Sequence, residues 1–257
     1  RLERAYIVDN RVSAEDGFAW FVDTLATGDT DNTALEFMGI HAGDGMINCT
    51  FAPAVESWEH WALVAHPSEG YFLYRNGVLE SGCSAETDDD PFAAEIMGIS
   101  GGVVVGSRWD LDTDTDKHFF NAVIDEFFFA PRFLSEDAVR ALAGQVPSPV
   151  PTISIAPTTV ESSAEVLMYF ENSLQNNGTG TDISDINATG MTYSGTIVEQ
   201  GAYSADFNGH DNYLEFDIGD TDQDTYTFAF WCYFRGYGPR LERAYIVDNR
   251  VSAEDGF

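Results

Sequence analysis

The sequence predicts an all-β protein, an antiparallel β-sandwich carrying one short helix. Three observations point there. LEFDIG (214–219) alternates Leu214, Phe216 and Ile218 with Glu215 and Asp217, the period of two shown by a strand with one wet face. YTFAFWCYF (226–234) is apolar on both faces, as a central strand between packed layers must be. Asn76-Gly77 stands between two apolar runs and signals a hairpin, because a type I′ turn needs positive φ at both central residues.

Further strands are expected in HWALVAHP (60–67), YFLYRNGVLE (71–80), GGVVVGSRW (101–109) and NAVIDEFFFAP (121–131). One helix is expected in LSEDAVRALAG (134–144). Ser135 is placed to cap it, Glu136 and Asp137 suit the positive end of its dipole, and Gly144 closes it. QVPSPVPTISIAPTTVESS (145–163) then reads as an extended, solvated spacer, because four prolines and interspersed Ser and Thr neither pair as a sheet nor wind as a helix.

RLERAYIVDNRVSAEDGF occurs twice, as residues 1–18 and 240–257, 239 positions apart. Chance does not produce an identity of that length. The spacer falls in mid-chain while both termini lie in strand-rich sequence, so the chain reads as a window on a tandem array of period 239. In that reading 1–147 is the C-terminal, larger part of one repeat, 148–163 the Pro/Thr-rich linker and 164–257 the N-terminal part of the next. Two arrangements remain open: 164–257 completes a sandwich with the following unit, or it folds onto 1–147 of the same chain and leaves one copy of the eighteen residues in surplus.

Composition narrows the function classes. Forty-three acids against twelve basic residues give a net charge of −31, and Lys117 is the one lysine, so the field repels nucleic-acid phosphates and anionic lipid. Hydrophobic content of 44% is too high for a disordered chain. No stretch reaches the roughly 18 uninterrupted apolar residues of a membrane helix. Dense carboxylates suit a cation-bearing extracellular fluid, and Asn48, Asn177 and Asn187 each open an N-x-S/T sequon, a pattern short enough to arise by coincidence as well. Three cysteines allow at most one internal disulfide, for which Cys49 with Cys83 is favoured; Cys232 alternates with Phe228, Phe230 and Phe234 and reads as a small core residue.

Read in the joined order, 164–257 followed by 19–147, several segments resemble the laminin G-like branch of the concanavalin A-like jelly rolls. VLMYFENSLQNNGTGTDIS (166–184) is similar to its opening strand and loop, ADFNGHDNYLEF (205–216) to its F-x-G-x-x-x-Y segment, and YTFAFWCYF to its aromatic central strand. WEHWALVAHPSEGYFLYRNGVLE (58–80) and FFNAVIDEFFFAPRFLSEDAVRAL (119–142) resemble its W-x-H and I-D-E segments, although Ala122 stands where that family usually has Gly. The eighteen-residue repeat matches no motif. The E-x-D-x-x-E strand of the related glucanases is absent, so the resemblance implies a jelly roll without hydrolysis.

Asp125 lies in an otherwise apolar strand, where a carboxylate must be paired, hydrogen-bonded or cation-bound. The resemblance implies a structural Ca2+ there, with Asp206 and Glu171 as further ligands; capping by backbone N–H groups is the rival. Asp110, Asp112 and Asp114 in WDLDTDTDKHFFN recur like the first half of a calcium loop, but Thr115 and Asn121 replace the Gly and Glu that an EF-hand requires, which leaves a weak cation loop or a solvated one. Gly98-Ile99-Ser100-Gly101-Gly102 has nucleophile-elbow spacing but leads into a strand rather than a helix. Five histidines show no zinc spacing. Trp20, Trp109 and Tyr237 have rings that suit stacking on a sugar if exposed, though most aromatics in such a sandwich are core. The expectation is therefore a non-enzymatic, extracellular structural or adhesive repeat protein whose partners are neighbouring copies of itself; the alternative is a calcium-dependent carbohydrate-binding (lectin) module.

Overall fold

A computed structural model of the chain describes residues 3–9, 18–25, 35–42, 45–49, 53–66, 70–81, 83–85, 102–107, 119–144, 164–180, 184–218, 225–236 and 244–248. Among these, strands numbered along the chain form two antiparallel sheets. The first has the order β12 (Ser184–Thr189), β15 (Tyr213–Asp217), β9 (Gly102–Val105), β17 (Ala244–Asp248), β2 (Phe18–Leu25), β3 (Leu35–Ala42), β4 (Gly45–Cys49), β8 (Cys83–Ala85), with β1 (Glu3–Asp9) also paired to β2. The second has the order β13 (Thr192–Ser194), β14 (Ser204–Asn208), β10 (Asn121–Ala130), β16 (Tyr226–Phe234), β5 (Trp58–His66), β6 (Gly70–Arg75), β7 (Val78–Leu79), with β11 (Val166–Met168) paired to β10.

Why β16 is central follows from its residues. Phe228, Phe230, Cys232 and Phe234 face the space between the sheets, while Ala229 is buried on the other side, so neither face of the strand tolerates water. It lies between β10 and β5, whose inner residues include Ile124, Phe127, Trp61 and Leu63. Val22, Val105, Leu214 and Phe216 close the core from the first sheet, and burying each such side chain contributes about 2 kcal/mol. Strands from 164–257 thus alternate with strands from 19–147 within both sheets of this one chain.

Local chemistry explains the turn and the helix. Asn76 (φ 51°) and Gly77 (φ 74°) make the tight connection between β6 and β7; Asn76 N donates to His60 O at 2.7 Å, and Asn76 Oδ1 accepts from His60 N at 2.8 Å. Helix α1 spans Glu136–Leu142, with Ser135 Oγ accepting from Ala138 N at 3.4 Å and Gly144 beyond its end at φ 66°. Val139 and Leu142 bring the helix onto the outer face of the second sheet, over Phe128, Ala130 and Val64.

Candidate functional site

Asp125 stands immediately before a bulge in β10. Along β10, Ala122 and Ile124 point into the core between the sheets, but so do Phe127 and Phe129, so the alternation inverts at Glu126. Glu126 is the inserted residue: its φ is 51°, and the register against β16 slips between Asp125↔Trp231 and Phe128↔Ala229. Alternation from Ile124 puts Asp125 on the outer face, completely buried, beneath the segment at 199–202, and the slip after it returns Phe127 and Phe129 to the core. Its Oδ2 accepts from Glu199 N at 3.2 Å and Gln200 N at 3.1 Å, and its Oδ1 from Glu126 N at 3.0 Å. Burial outweighs these donors, and with the nearby Glu171 charge it pushes the Asp125 pKa up from 3.8 to about 6.

Glu171 holds the same segment from the other side. It sits at the centre of a three-residue turn, between Phe170 and Asn172 (each φ 53°), closed by Asn172 N donating to Phe170 O at 2.7 Å. Its Oε1 and Oε2 accept from Ala202 N at 2.9 and 3.1 Å. Gly201 between these anchors has φ 68°, and a Cβ there would stand 1.4 Å from Glu171 Oε1, so the carboxylate fits only because residue 201 lacks a side chain. Gln200 Nε2 also donates to Glu126 Oε2 at 2.9 Å.

Asp206 stands apart from this pair. Its two oxygens accept from both terminal nitrogens of Arg235, one contact being 2.8 Å, and a guanidinium already neutralises it. Asp125 and Glu171 therefore converge, Asp206 does not join them, and no group of three acidic, His or Cys side chains among the described residues is arranged to hold a metal ion. Two carboxylates are the hard oxygen donors that Ca2+ takes; here Asp125 accepts from three backbone N–H groups and Glu171 from one. Asp110, Asp112 and Asp114 lie outside the described residues.

Asn177 and Asn187 are exposed; Asn177 Nδ2 donates to Gln175 O at 3.2 Å and Asn187 Nδ2 to Glu215 Oε1 at 3.1 Å. Asn48 lies in β4, opposite Ser84 of β8, and the next pair in that register sets Cys49 opposite Cys83. Cys232 is a free, buried thiol, as its alternation with phenylalanines predicts. Trp20 is a core residue, as most aromatics of such a sandwich are expected to be, and is not placed to stack on a sugar: its ring is fully buried and packs on Phe230 at 5.4 Å, because inward alternation in β2 places it in the core. Trp109 and Tyr237 lie outside the described residues.

Sequence reasoning missed His60. It is buried against Trp231, ring centroids 5.3 Å apart, and burial pushes its pKa down to about 3, so it is neutral. His60 Nδ1 and Trp231 Nε1 have no hydrogen-bond partner, and both residues line a small cavity with Glu126 and Tyr169. The cavity measures about 20 Å³, room for a water molecule and too small for a sugar ring. A histidine flanked by apolar residues at period two gave the signal, but only the partner strand reveals the tryptophan.

No protein-family model, no curated protein and no solved structure matches the chain.

Proposed function

We propose that the chain is a non-enzymatic structural or adhesive repeat protein of the extracellular space, built of laminin G-like jelly rolls in tandem. The observation that supports this reading is the equivalence of the two copies of RLERAYIVDNRVSAEDGF: β1 and β17, drawn from them, take one register on β2. Two segments 239 positions apart that serve as the same structural part are what a repeating unit produces. Weak contacts repeated along such a chain gain strength from effective concentration, so no residue has to do chemistry. The surplus of acids over bases and the exposed sequons at Asn177 and Asn187 favour an extracellular setting.

Ca2+ enters this proposal as a stiffener at Asp125 and Glu171, where it would replace backbone N–H groups as the neutralising partner of two carboxylates. A glycan array probed with the pure chain, with Ca2+ and then with chelator, tests the reading. No binding under either condition is expected. Binding that chelator abolishes would replace it with the lectin alternative, and turnover of a β-glucan would overturn the non-enzymatic assignment.

A further inference from the structure

The small cavity on the outer face of the second sheet gathers polar groups from three neighbouring strands. His60 comes from β5 and stands opposite Trp231 of β16; on its other side Trp231 pairs with Asp125 of β10, next to which the bulge residue Glu126 also lines the cavity. Buried polar groups are almost always hydrogen-bonded, so two unpartnered ones beside one cavity call for an explanation. His60 is 2% exposed, and neither its Nδ1 nor the buried Trp231 Nε1 has a hydrogen-bond partner among the described residues. An indole nitrogen only donates, whereas a neutral imidazole has one nitrogen lone pair that accepts. Burial pushes the His60 pKa down to about 3, so the neutral form is the one present. Glu126 adds a carboxylate whose Oε2 accepts from Gln200 Nε2 at 2.9 Å, and a carboxylate has about four lone-pair sites in all. The side chains of Phe128, Leu142, Leu167 and Ala229 supply apolar walls.

The chemistry of the lining selects the occupant. A cation gains nothing from the Trp231 N–H donor, and an anion meets the Glu126 carboxylate in a chain of net charge −31. What suits one donor and two acceptors is a neutral molecule that both accepts and donates. The volume of about 20 Å³ exceeds the roughly 10–15 Å³ that one water requires and admits no organic ring. We propose that this cavity is the binding site of one structural water, which accepts from Trp231 Nε1, donates one hydrogen to His60 Nδ1 and donates the other to the Glu126 carboxylate. That assignment places the His60 proton on Nε2. A water so held ties β5 and β16 to the bulge of β10, and it helps to fasten Glu126 in its left-handed conformation, φ 51°, beside Asp125. The inference is independent of the repeat reading that the glycan array tests.

Solution NMR of the whole chain, with 15N-labelled tryptophan and histidine, tests the proposal. The indole signal that disappears in Trp231→Phe identifies the Trp231 N–H. In the wild-type chain that N–H is expected to show a dipolar cross-peak to water, of opposite sign in laboratory-frame and rotating-frame spectra, the mark of a water that stays while the protein tumbles. His60 Nδ1 is expected at the shift of an unprotonated, hydrogen-bonded nitrogen. A folded chain whose Trp231 N–H shows no such cross-peak, or whose His60 carries its proton on Nδ1, overturns the proposal. If Trp231→Phe does not fold, a crystal structure of the wild-type chain decides: one water within about 3.2 Å of both Trp231 Nε1 and His60 Nδ1 is expected, and a dry cavity overturns the proposal.

Discussion

The Asp125→Asn substitution reads the buried carboxylate directly. Moving the pKa from 3.8 in the unfolded chain to about 6 in the folded one means that the folded state holds the proton more tightly between those values. Stability from this group is therefore present at low pH and is lost as pH rises through about 6, a total of about 3 kcal/mol. The isoelectric point near 4.1 makes the lowest pH values unsuitable for solution work, and about 2 kcal/mol of the loss falls between pH 4.5 and 7.5. Buried His60 acts in the opposite sense. With its pKa down at about 3, it favours the folded state above its unfolded value of 6.5 and weakens it as pH falls. Both proteins contain His60, so its effect cancels in the difference between wild type and variant.

Chemical unfolding of both proteins in chelator across that range is the assay. Wild type is expected to lose about 2 kcal/mol relative to the asparagine variant as pH rises, equivalent to roughly 4–8 °C in Tm for a domain of this size. A difference that stays flat, or one in which wild type gains with pH, refutes the account of Asp125 as a desolvated carboxylate held by N–H groups. With Ca2+ in excess the proposal of a bound cation predicts that reversed slope, and chelator should restore the first.

Two further outcomes test the packing and the covalent frame. Gly106 has φ 89°, and a Cβ there would lie 2.3 Å from Cδ1 of fully buried Phe207, so Gly106→Ala is expected to cost about 3 kcal/mol or more in thermal unfolding; a loss under about 1 kcal/mol would show that the ring moves freely. Cys49 opposite Cys83 predicts one disulfide when the chain is purified under oxidising conditions, with Cys232 alkylated only after unfolding; native labelling of Cys49 by a thiol reagent would refute the pairing.

How legible a feature was depended on the range of the interaction behind it. The Asn76-Gly77 turn, the Ser135 cap and the two-faced apolarity of β16 express chemistry within a few residues, and each has the structure that its sequence predicts. Asp125 was recognisable as a carboxylate needing partners, but its partners Glu199 and Gln200 are some seventy-five positions away, and the bulge at Glu126 that returns Phe127 and Phe129 to the core has no marker such as glycine. Trp20 was open between core and an exposed ring in the sequence, and its contact with Phe230 of β16 places it in the core.

Composition, periodicity and turn residues determined by themselves that this chain is a β protein with one capped helix, a strongly acidic surface and a duplicated eighteen-residue segment, because those properties depend on nearest neighbours or on simple counting. Tertiary structure alone decided which strand lies beside which, that Asp206 belongs to Arg235 while Asp125 and Glu171 share a turn, and that both copies of the duplicated segment answer to one edge of β2. Pairing is a contest for hydrogen-bond partners between segments far apart in the chain, and no local pattern records its result.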